Sequence, residues 1–520
     1  MAEGPGTGKG TGTGTGTVLL HPDDTVAILT NPAPAGAQPL GFGAALDHPV
    51  TRGHKIARQD MEAGNNIIKF GQVIGYASRP IRAGEHVHTD NCYFGAHDQH
   101  YEVGADYQKA LAAIPTVKPA TFMGYRRANG QAGTRNFIAI CATVNCSATV
   151  IRRAADDINR SGILADYPNI DGVAAFAHGT GCGMDAGGEG ADILQRVLWG
   201  YATHPNVGAA VFVGLGCEVM QLARMKMLYG GNDESRFFGL TIQDSGGTAA
   251  TIKHLVEHIK SILPVVNAIQ RQPIPASELK LALQCGGSDG FSGITANPAL
   301  GIASDLLVGL GGTVVLSETP EIYGAEQLLL RRAASSEIGE KLIARIRWWE
   351  DYTKMNRGSM DNNPSPGNKL GGLTTILEKS LGASAKAGST PLTDVLNYAE
   401  RIETPGFVFM DTPGYDPVSA TGQIAGGAQM LVFTTGRGSA FGSKPTPTIK
   451  LATNSKLYED MPDDMDLNCG DIISAGISVE QKGREILDLV LASASGQKTK
   501  SEILGLGDNE FVPWQVGAVM

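Results

Sequence analysis

Three histidines near the start of the chain have the residue type and spacing of a metal site. His86 and His88 lie two positions apart in EHVHTDN, so a strand would present both imidazoles on one face. His54, in RGHKIA, adds a third imidazole to the same short β-like region. Three imidazoles completed by carboxylate or water oxygens suit Fe(II), Mn(II) or Zn(II). The alternative interpretation is that these histidines are ordinary surface residues.

A second group of candidate residues lies in glycine turns that follow apolar, strand-like segments. These turns are HGTGC (178–182), GLGCE (214–218), CGGSD (285–289) and TTGRG (434–438). Ligands of open α/β sheets bind beyond the carboxyl ends of the strands, so we expect the turns to converge on one crevice. Any one of them taken alone is also a plain tight connection. A crevice lined by hydroxyl, amide and glycine backbone groups suits a hydroxylated anion such as a sugar acid.

Polar side chains in and beside these turns are the candidate substrate ligands, namely Ser288, Asn297, Asn368, Arg437 and Asn145. Arg437 stands between two glycines, and its guanidinium can hold a carboxylate through two parallel hydrogen bonds. We assign proton transfer to His54 or Lys369, and we group Asp289 with them as a catalytic carboxylate that also contacts substrate oxygens. For Arg437 and Lys369 the alternative is a surface charge in a turn.

Cysteines accompany the same turns, and they extend the metal hypothesis. We expect Cys182 and Cys285, with Glu218 as a carboxylate, to join His86 and His88 as metal ligands. Alternatively, an iron–sulfur cluster with one iron open to a substrate hydroxyl is held by three of four thiols: Cys146, Cys182, Cys217 and Cys285. Buried structural thiols are the third interpretation.

The elements that must position these residues predict an α/β protein with a small β-rich domain at its N-terminus. A Gly/Thr tail over 1–17 has nothing to bury and is expected to be disordered. Short β-like segments over 18–94 predict the small domain, and 95–120 is a linker. Strand, glycine turn and helix patterns recur over 121–275 and 276–520, which predicts two α/β domains with mainly parallel sheets.

Composition excludes several classes of partner. The chain of 520 residues has a net charge of -10, and no run of Lys or Arg could neutralise a nucleic-acid backbone. No apolar stretch reaches the roughly 18 residues of a membrane span, and the start lacks a signal-peptide pattern. The seven cysteines lack close pairs, as is typical of free thiols in a reducing compartment. We therefore expect a cytoplasmic homo-oligomer that acts on a small molecule.

Several long motifs resemble one enzyme family and occur in its order: GYRRANGQAGTRNFIAICATVNCSA, GLGCE, CGGSDGFSGITANPALG, ETPEIYGAEQLL, NPSPGNKLGGLTTILEKSLG and FTTGRGSAFG. From about residue 18 to its C-terminus, the chain resembles the altronate/galactarate dehydratase family. Residues 18–94, with RGHKIARQDM and IGYASRPIRAGEHVHTDN, resemble the SAF domain that opens this family. The resemblance implies a hydro-lyase that converts a sugar acid to a 2-keto-3-deoxy acid, with Fe(II) or Mn(II) as the usual activator.

The resemblance also bears on the substrate. HVH at 86–88 is similar to altronate-type members, whereas galactarate-type members tend to lack it, which favours D-altronate and the product 2-keto-3-deoxy-D-gluconate. The stretch GYDPVSATGQ (414–423) departs from both types, so galactarate or a related aldonate stays open. Sulfolactate lyases of similar sequence carry the two modules on separate chains, which argues against that activity for a fused chain.

The chemistry of this dehydration sets what the site must supply. Removal of the C2 proton builds an aci-carboxylate dianion that a metal ion or cationic donors must stabilise. Loss of the C3 hydroxyl then gives the enol of the 2-keto product. A sugar-acid-binding sensor is the non-enzyme alternative, but the sequence has no basic helix-turn-helix output domain. A redox enzyme is disfavoured because the dinucleotide-binding fingerprint is missing.

Overall fold

The computed structural model describes residues 16–95, 101–221, 223–224, 227 and 237–517. It confirms the predicted α/β class, with a β-rich N-terminal domain ahead of two domains built on parallel sheets. Most of the tail predicted to be disordered lies outside the described residues. Thr17, however, already pairs with Leu29 in a strand, so the ordered chain begins before residue 18.

Seven short strands form the N-terminal domain in two antiparallel sheets, ordered β1-β2-β3-β6 and β4-β5-β7. Their bounds are β1 (Thr17–Val18), β2 (Val26–Leu29), β3 (Lys55–Ala57), β4 (Asn66–Lys69), β5 (Gln72–Ala77), β6 (His86–Val87) and β7 (Cys92–Tyr93). Ile67, Ile74 and Val87 are fully buried between the sheets and form the core of this small domain. The predicted linker contains the helix α1 (Tyr107–Ala112) and is hydrogen-bonded to the C-terminal domain through Gly104 and Asp106.

The second domain has a parallel sheet of order β11-β10-β12-β13 and a small antiparallel sheet of order β14-β8-β9. The strands are β8 (Thr121–Arg126), β9 (Ala132–Gly133), β10 (Phe137–Ala142), β11 (Gly172–Phe176), β12 (Val207–Gly214), β13 (Phe237–Thr241) and β14 (Arg271–Pro275). The helices are α2 (Ala148–Arg160), α3 (Glu189–Ala202) and α4 (Thr248–Asn267). All six residues of β10 are buried because helices cover both faces of the sheet.

The C-terminal domain has seven parallel strands ordered β17-β18-β16-β15-β19-β20-β21. These are β15 (Lys280–Cys285), β16 (Thr313–Leu316), β17 (Leu392–Leu396), β18 (Gly406–Met410), β19 (Met430–Thr435), β20 (Thr448–Ala452) and β21 (Leu467–Asn468). The larger helices are α5 (Ala296–Gly309), α7 (Ser336–Met355), α9 (Ile376–Ser384), α10 (Asp416–Ala425) and α13 (Val479–Ala494). The shorter ones are α6 (Gln327–Leu330), α8 (Pro366–Leu370), α11 (Ser455–Asp460), α12 (Asp471–Ser474) and α14 (Lys500–Ile503).

The four glycine turns divide between the two parallel sheets, so two of them follow each sheet, and their convergence on one crevice stays a prediction. CGGSD and TTGRG follow β15 and β19, the neighbouring strands at which the C-terminal sheet reverses its order. The amides of Gly436 and Arg437 donate to Gly287 O over 3.0 and 2.9 Å, which joins these two turns. HGTGC and GLGCE follow β11 and β12 in the other sheet. Sequence periodicity identifies strands, but it does not assign them to sheets.

Buried contacts fix the three domains against one another. Lys55 and Lys69 of the N-terminal domain both pair with Glu378 of α9 over 2.8 Å, and all three side chains are buried. Between the other two domains α3 packs on α10, where a Cβ at Gly200 would lie 2.3 Å from Ala425 O. Within the described residues, none of the helices has the length and apolar character needed to cross a bilayer.

Candidate functional site

The three predicted histidines cluster where the N-terminal domain meets the C-terminal domain. His54 precedes β3 and His86 begins β6, and these strands are antiparallel neighbours. Nδ1 of His54 lies 2.9 Å from Nε2 of His86, and the ring of His88 lies 5.2 Å from that of His54. His88 donates from Nε2 to Lys369 O over 2.8 Å. A fourth imidazole, which sequence reasoning missed, is that of His48, 3.2 Å from His86 Nδ1.

Burial keeps the imidazoles of His54, His86 and His88 neutral at physiological pH. It lowers the pKa of His54 to about 4, with further lowering by Lys55 and His88. Burial is also the main reason that the pKa values of His86 and His88 are lowered. The neutral imidazole is the form that binds metals, so the cluster has the chemistry of a nitrogen-donor site. The metal role of His86 and His88 stays a prediction.

Helix α8 connects the histidines to the turn that follows β15. His54 Nε2 lies 3.3 Å from Leu370 O, at the end of this helix. Asn368, buried in the same helix, donates from Nδ2 to Ser288 O over 2.9 Å. Lys369 is half-buried between them. The structure therefore brings together the predicted residues His54, Asn368, Lys369 and Ser288, although they come from both domains.

Asp289 and Asn297 are buried and already hydrogen-bonded within the protein. One oxygen of Asp289 accepts from Thr453 Oγ1 over 2.9 Å, and the other accepts from Asn454 Nδ2 over 3.1 Å. Asn297 accepts from Thr434 Oγ1 over 2.7 Å. These bonds shape the turns at the switch point. The catalytic role of Asp289 and the substrate contact of Asn297 stay predictions.

A polar cavity of about 330 Å³ lies beside this turn, between the N-terminal and C-terminal domains. Arg52 lines it and donates from Nη2 to Asn454 Oδ1 over 3.0 Å. Thr30, Asn31 and Ser455 add hydroxyl and amide groups to the wall. The volume and polarity suit a small hydroxylated acid. Sequence reasoning missed Arg52, while the predicted Arg437 is exposed on the neighbouring turn.

A second cluster lies fully buried at the carboxyl ends of β15 and β16. Nζ of Lys386 lies 2.8 Å from Cys285 Sγ and 3.4 Å from Glu318 Oε2. Nζ of Lys379 lies 2.6 Å from Glu321 Oε1. Among the described residues, the one group that brings three metal-ligand atoms within 4.8 Å of one another is Cys285, Glu318 and Glu321. The two ammonium groups lie against these atoms, so the cluster already has cationic neighbours.

Glu318 has features that are typical of functional sites. Its φ is +69°, in the left-handed region that non-glycine residues rarely adopt. Burial and the neighbouring Glu321 raise its pKa well above the ordinary carboxyl value. Its Oε1 has no hydrogen-bond partner among the described residues. Sequence reasoning missed this cluster, although ETPE directly after a buried strand places two carboxylates at a strand end.

The remaining predicted residues form a third group, at the carboxyl edge of the second-domain sheet. Glu218 is buried and accepts from Thr143 Oγ1 over 2.8 Å and from Gly216 N over 2.7 Å. Asn145 is exposed and donates to His178 O over 3.1 Å. Cys182 is exposed on the adjacent turn. Glu218 and Cys182, which we expected to join His86 and His88 as metal ligands, thus lie in a different domain from these histidines.

Comparison with known families matches each of the three domains in turn. Residues 15–94 match the altronate/galactarate dehydratase SAF domain. Residues 124–267 match the second domain of D-galactarate dehydratase/altronate hydrolase. Residues 276–519 match the C-terminal domain of D-galactarate/altronate dehydratase. The order of the matches is the order of the domains along the chain.

Similar proteins match nearly the whole chain. An altronate dehydratase of Bacillus subtilis is 37% identical over 489 residues, which are 93% of this chain and 96% of that protein. An altronate dehydratase of Escherichia coli is 38% identical over 460 residues, covering 88% and 90%. A galactarate dehydratase (L-threo-forming) of Escherichia coli is 37% identical over 500 residues, covering 94% and 95%. With all three domains matched, the chain belongs to the altronate/galactarate dehydratase family of hydro-lyases.

Proposed function

We propose that this protein removes water from a sugar acid and releases a 2-keto-3-deoxy acid, with D-altronate as its substrate. The observation that carries the proposal is the match of about 37% to 38% identity to two altronate dehydratases over 88% to 93% of the chain. The HVH sequence at 86–88, which resembles altronate-type members, supports altronate in particular.

Galactarate is the second candidate substrate. The galactarate dehydratase is as similar to this chain, at 37% identity, as the altronate dehydratases are. Galactarate carries a carboxylate at each end, so it would need a cationic donor at both ends of the cavity. Arg52 and Arg437 on neighbouring segments are the guanidinium groups available for this.

The residues around α8 can supply the binding and proton-transfer steps. The cavity beside Asn454 offers hydroxyl and amide groups to the substrate hydroxyls, and Arg52, which lines it, offers charge to the substrate carboxylate. Arg437 is exposed on the neighbouring turn and is the second guanidinium that we propose for this role. His54 is neutral at pH 7 and can accept the C2 proton, while Lys369 on the adjoining helix is the alternative base. The buried pair of Lys55 and Glu378 docks the N-terminal domain against the C-terminal domain.

Fe(II) or Mn(II) is the activator that we propose, with His86 and His88 as its ligands. Their neutral imidazoles fit the nitrogen-donor chemistry of these ions. The cluster around Cys285 fits a divalent cation poorly, because Lys379 and Lys386 already bring two positive charges to the same atoms. When bound, such an ion stabilises the negative charge that develops on the substrate carboxylate.

Turnover of a substrate panel tests the proposed activity. Purified protein is incubated anaerobically with Fe(II) and with altronate, galactarate and other aldonates and aldarates, and 2-keto acid formation is measured. We expect the highest kcat/KM with altronate. Highest kcat/KM with galactarate would move the assignment to the second candidate. Binding of a sugar acid without turnover would support the sensor hypothesis instead.

Replacement of His88 tests the metal ligands. In His88→Ala we expect bound Fe(II) to fall by tenfold or more and kcat to fall with it, because one of the nitrogen donors is lost. The matched control is His254→Ala, which removes an exposed histidine from α4. Unchanged metal content and turnover in His88→Ala would remove the histidine cluster from the proposal.

A further inference from the structure

The three exposed cysteines of the chain all lie at one edge of one sheet. Cys92, Cys141, Cys285 and Cys469 are buried, whereas Cys146, Cys182 and Cys217 are exposed, and none of the seven is in a disulfide. Free cysteines are among the residues most often buried, so three exposed thiols in one place need a reason. Each follows the carboxyl end of β10, β11 or β12, which are adjacent strands.

Hydrogen bonds hold the three cysteine-bearing turns together. Asn145 N, next to Cys146, donates to Thr180 O over 2.9 Å. Val219 N, two residues after Cys217, donates to Gly181 O over 3.2 Å. The turn that carries Cys182 is therefore bonded to both of the others. It lies so close to β10 that a Cβ at Gly181 would be 2.3 Å from Thr143 O, and the φ of +101° at Gly181 also requires glycine.

The positions of the three sulfurs do not fit a single tetrahedral ion. Around a single tetrahedral ion, with metal–sulfur bonds of about 2.3 Å, the sulfurs lie about 4 Å apart. Among the described residues, these three cysteines do not form a group with all sulfurs within 4.8 Å of one another. A cluster with several iron atoms between its thiolates bridges a wider gap.

The turns around the thiols are also held in place. Cys146 lies in the 3-10 turn Asn145–Ser147, which leads directly into the 13-residue helix α2. Glu218 is tied down by Thr143 and Gly216, so it fixes the turn that carries Cys217. Glu218 also lines a cavity of about 390 Å³ at the carboxyl end of β12.

We propose that Cys146, Cys182 and Cys217 hold an iron–sulfur cluster at the carboxyl edge of the second-domain sheet. Three thiolates leave one iron of a four-iron cluster open to an oxygen ligand. Cys285, the fourth candidate thiol, lies buried beside Lys386 and takes no part. The inference goes beyond the proposed function, because cluster content is measured without turnover.

Anaerobic reconstitution with ferrous iron and sulfide tests the proposal. We expect the full chain to bind about four iron and four acid-labile sulfide per molecule and to absorb broadly near 400 nm. Cys146→Ser, Cys182→Ser and Cys217→Ser should each lose most of the iron, sulfide and absorbance. The control Cys92→Ser, at a buried thiol 3.7 Å from Thr374 Oγ1, should keep all three.

Alkylation of the unaltered protein gives a second readout that needs no variant to fold. We expect iodoacetamide to label Cys146, Cys182 and Cys217 in the cluster-free protein and to spare them after reconstitution, as read by peptide mass spectrometry. Iron bound without sulfide, zinc bound in place of iron, or equal labelling before and after reconstitution would overturn the proposal. Failure of the dehydratase assay with an intact cluster would reject only the proposed function.

Discussion

At the carboxyl edge of the C-terminal sheet, Cys285 is buried between Lys386 and Glu318, whereas at the same edge of the second-domain sheet Cys146 and Cys182 are exposed. In the first region every cation has an anionic neighbour inside the protein. In the second region the thiols are exposed to solvent. Equivalent positions of the two parallel sheets thus differ in what their side chains can do. Buried charges that are paired within the protein stabilise the fold, while exposed ligand atoms are available to bind an external group.

The contrast between the two sheet edges assumes that buried charges in the C-terminal domain need partners. That assumption fails if the domain tolerates an unpaired buried charge. Glu378→Gln removes the carboxylate shared by Lys55 and Lys69 and leaves two buried ammonium groups. We expect the free energy of unfolding to fall by about 3 to 5 kcal/mol in urea titrations. Glu340→Gln, at an exposed position of α7, is the matched control. A loss in Glu378→Gln no larger than in the control would contradict this account of domain docking.

A second change tests the buried cluster itself. Lys386→Met removes the ammonium beside Cys285 and Glu318. Because burial already raises the pKa of Glu318, that acid can take up a proton, so we expect a smaller loss of about 2 to 3 kcal/mol in the same titrations. Lys456→Met, which breaks an exposed pair with Asp460, should change stability by less than about 0.5 kcal/mol. Equal losses of unfolding free energy in Lys386→Met and Lys456→Met would mean that burial does not make the first pair more important for stability than the second.

The pH dependence of stability tests the buried ion pairs of Glu378 further. Burial would raise the pKa of Glu378, but Lys55 and Lys69 outweigh it and lower the pKa far below the usual carboxyl range. Because the folded-state pKa is lowered, the ionised carboxylate stabilises the fold at pH values above the unfolded pKa of about 4.3. This stabilisation is lost as pH falls below that value. We expect the stability difference between the natural protein and Glu378→Gln to be constant from pH 7 to pH 5 and to shrink below pH 4. A difference that shrinks already near pH 6 would contradict this.

The smallest expected effect on stability is at the carboxyl edge of the second-domain sheet. Cys146→Ser changes an exposed side chain and should alter the unfolding free energy of the cluster-free protein by less than about 0.5 kcal/mol. Cys285→Ser, fully enclosed beside Lys386, should cost more, because the smaller oxygen loses packing contacts. Thermal unfolding of both variants checks this order, and the reverse order would remove the distinction between the two edges.

Local sequence patterns were sufficient to predict the residues at strand ends. The two-residue spacing of His86 and His88 placed these side chains at the N-terminal strands, and the glycine turn placed Ser288 after the carboxyl end of a strand, where the structure has them. The α/β class followed from the alternation of strand, turn and helix. Such patterns depend on neighbours a few residues apart, which a single sequence displays directly.

Contacts between distant segments could not be predicted in the same way. Lys55 and Glu378 are 323 residues apart, and Lys386 and Cys285 are 101 residues apart. Their pairing results from the docking of domains and from the strand order of the sheet, neither of which leaves a local pattern. For the same reason the turns carrying Cys182 and Cys285 were expected at one site, although they belong to different sheets.

The most direct test of the dehydratase assignment is a proton NMR time course of altronate with the iron-loaded protein in D₂O. Loss of the C2 proton and the C3 hydroxyl, followed by ketonisation, predicts a 2-keto-3-deoxy product with one solvent deuteron at C3. Altronate, galactarate and the other panel acids all remaining unchanged, or a keto acid that retains its C3 hydroxyl, would contradict the account.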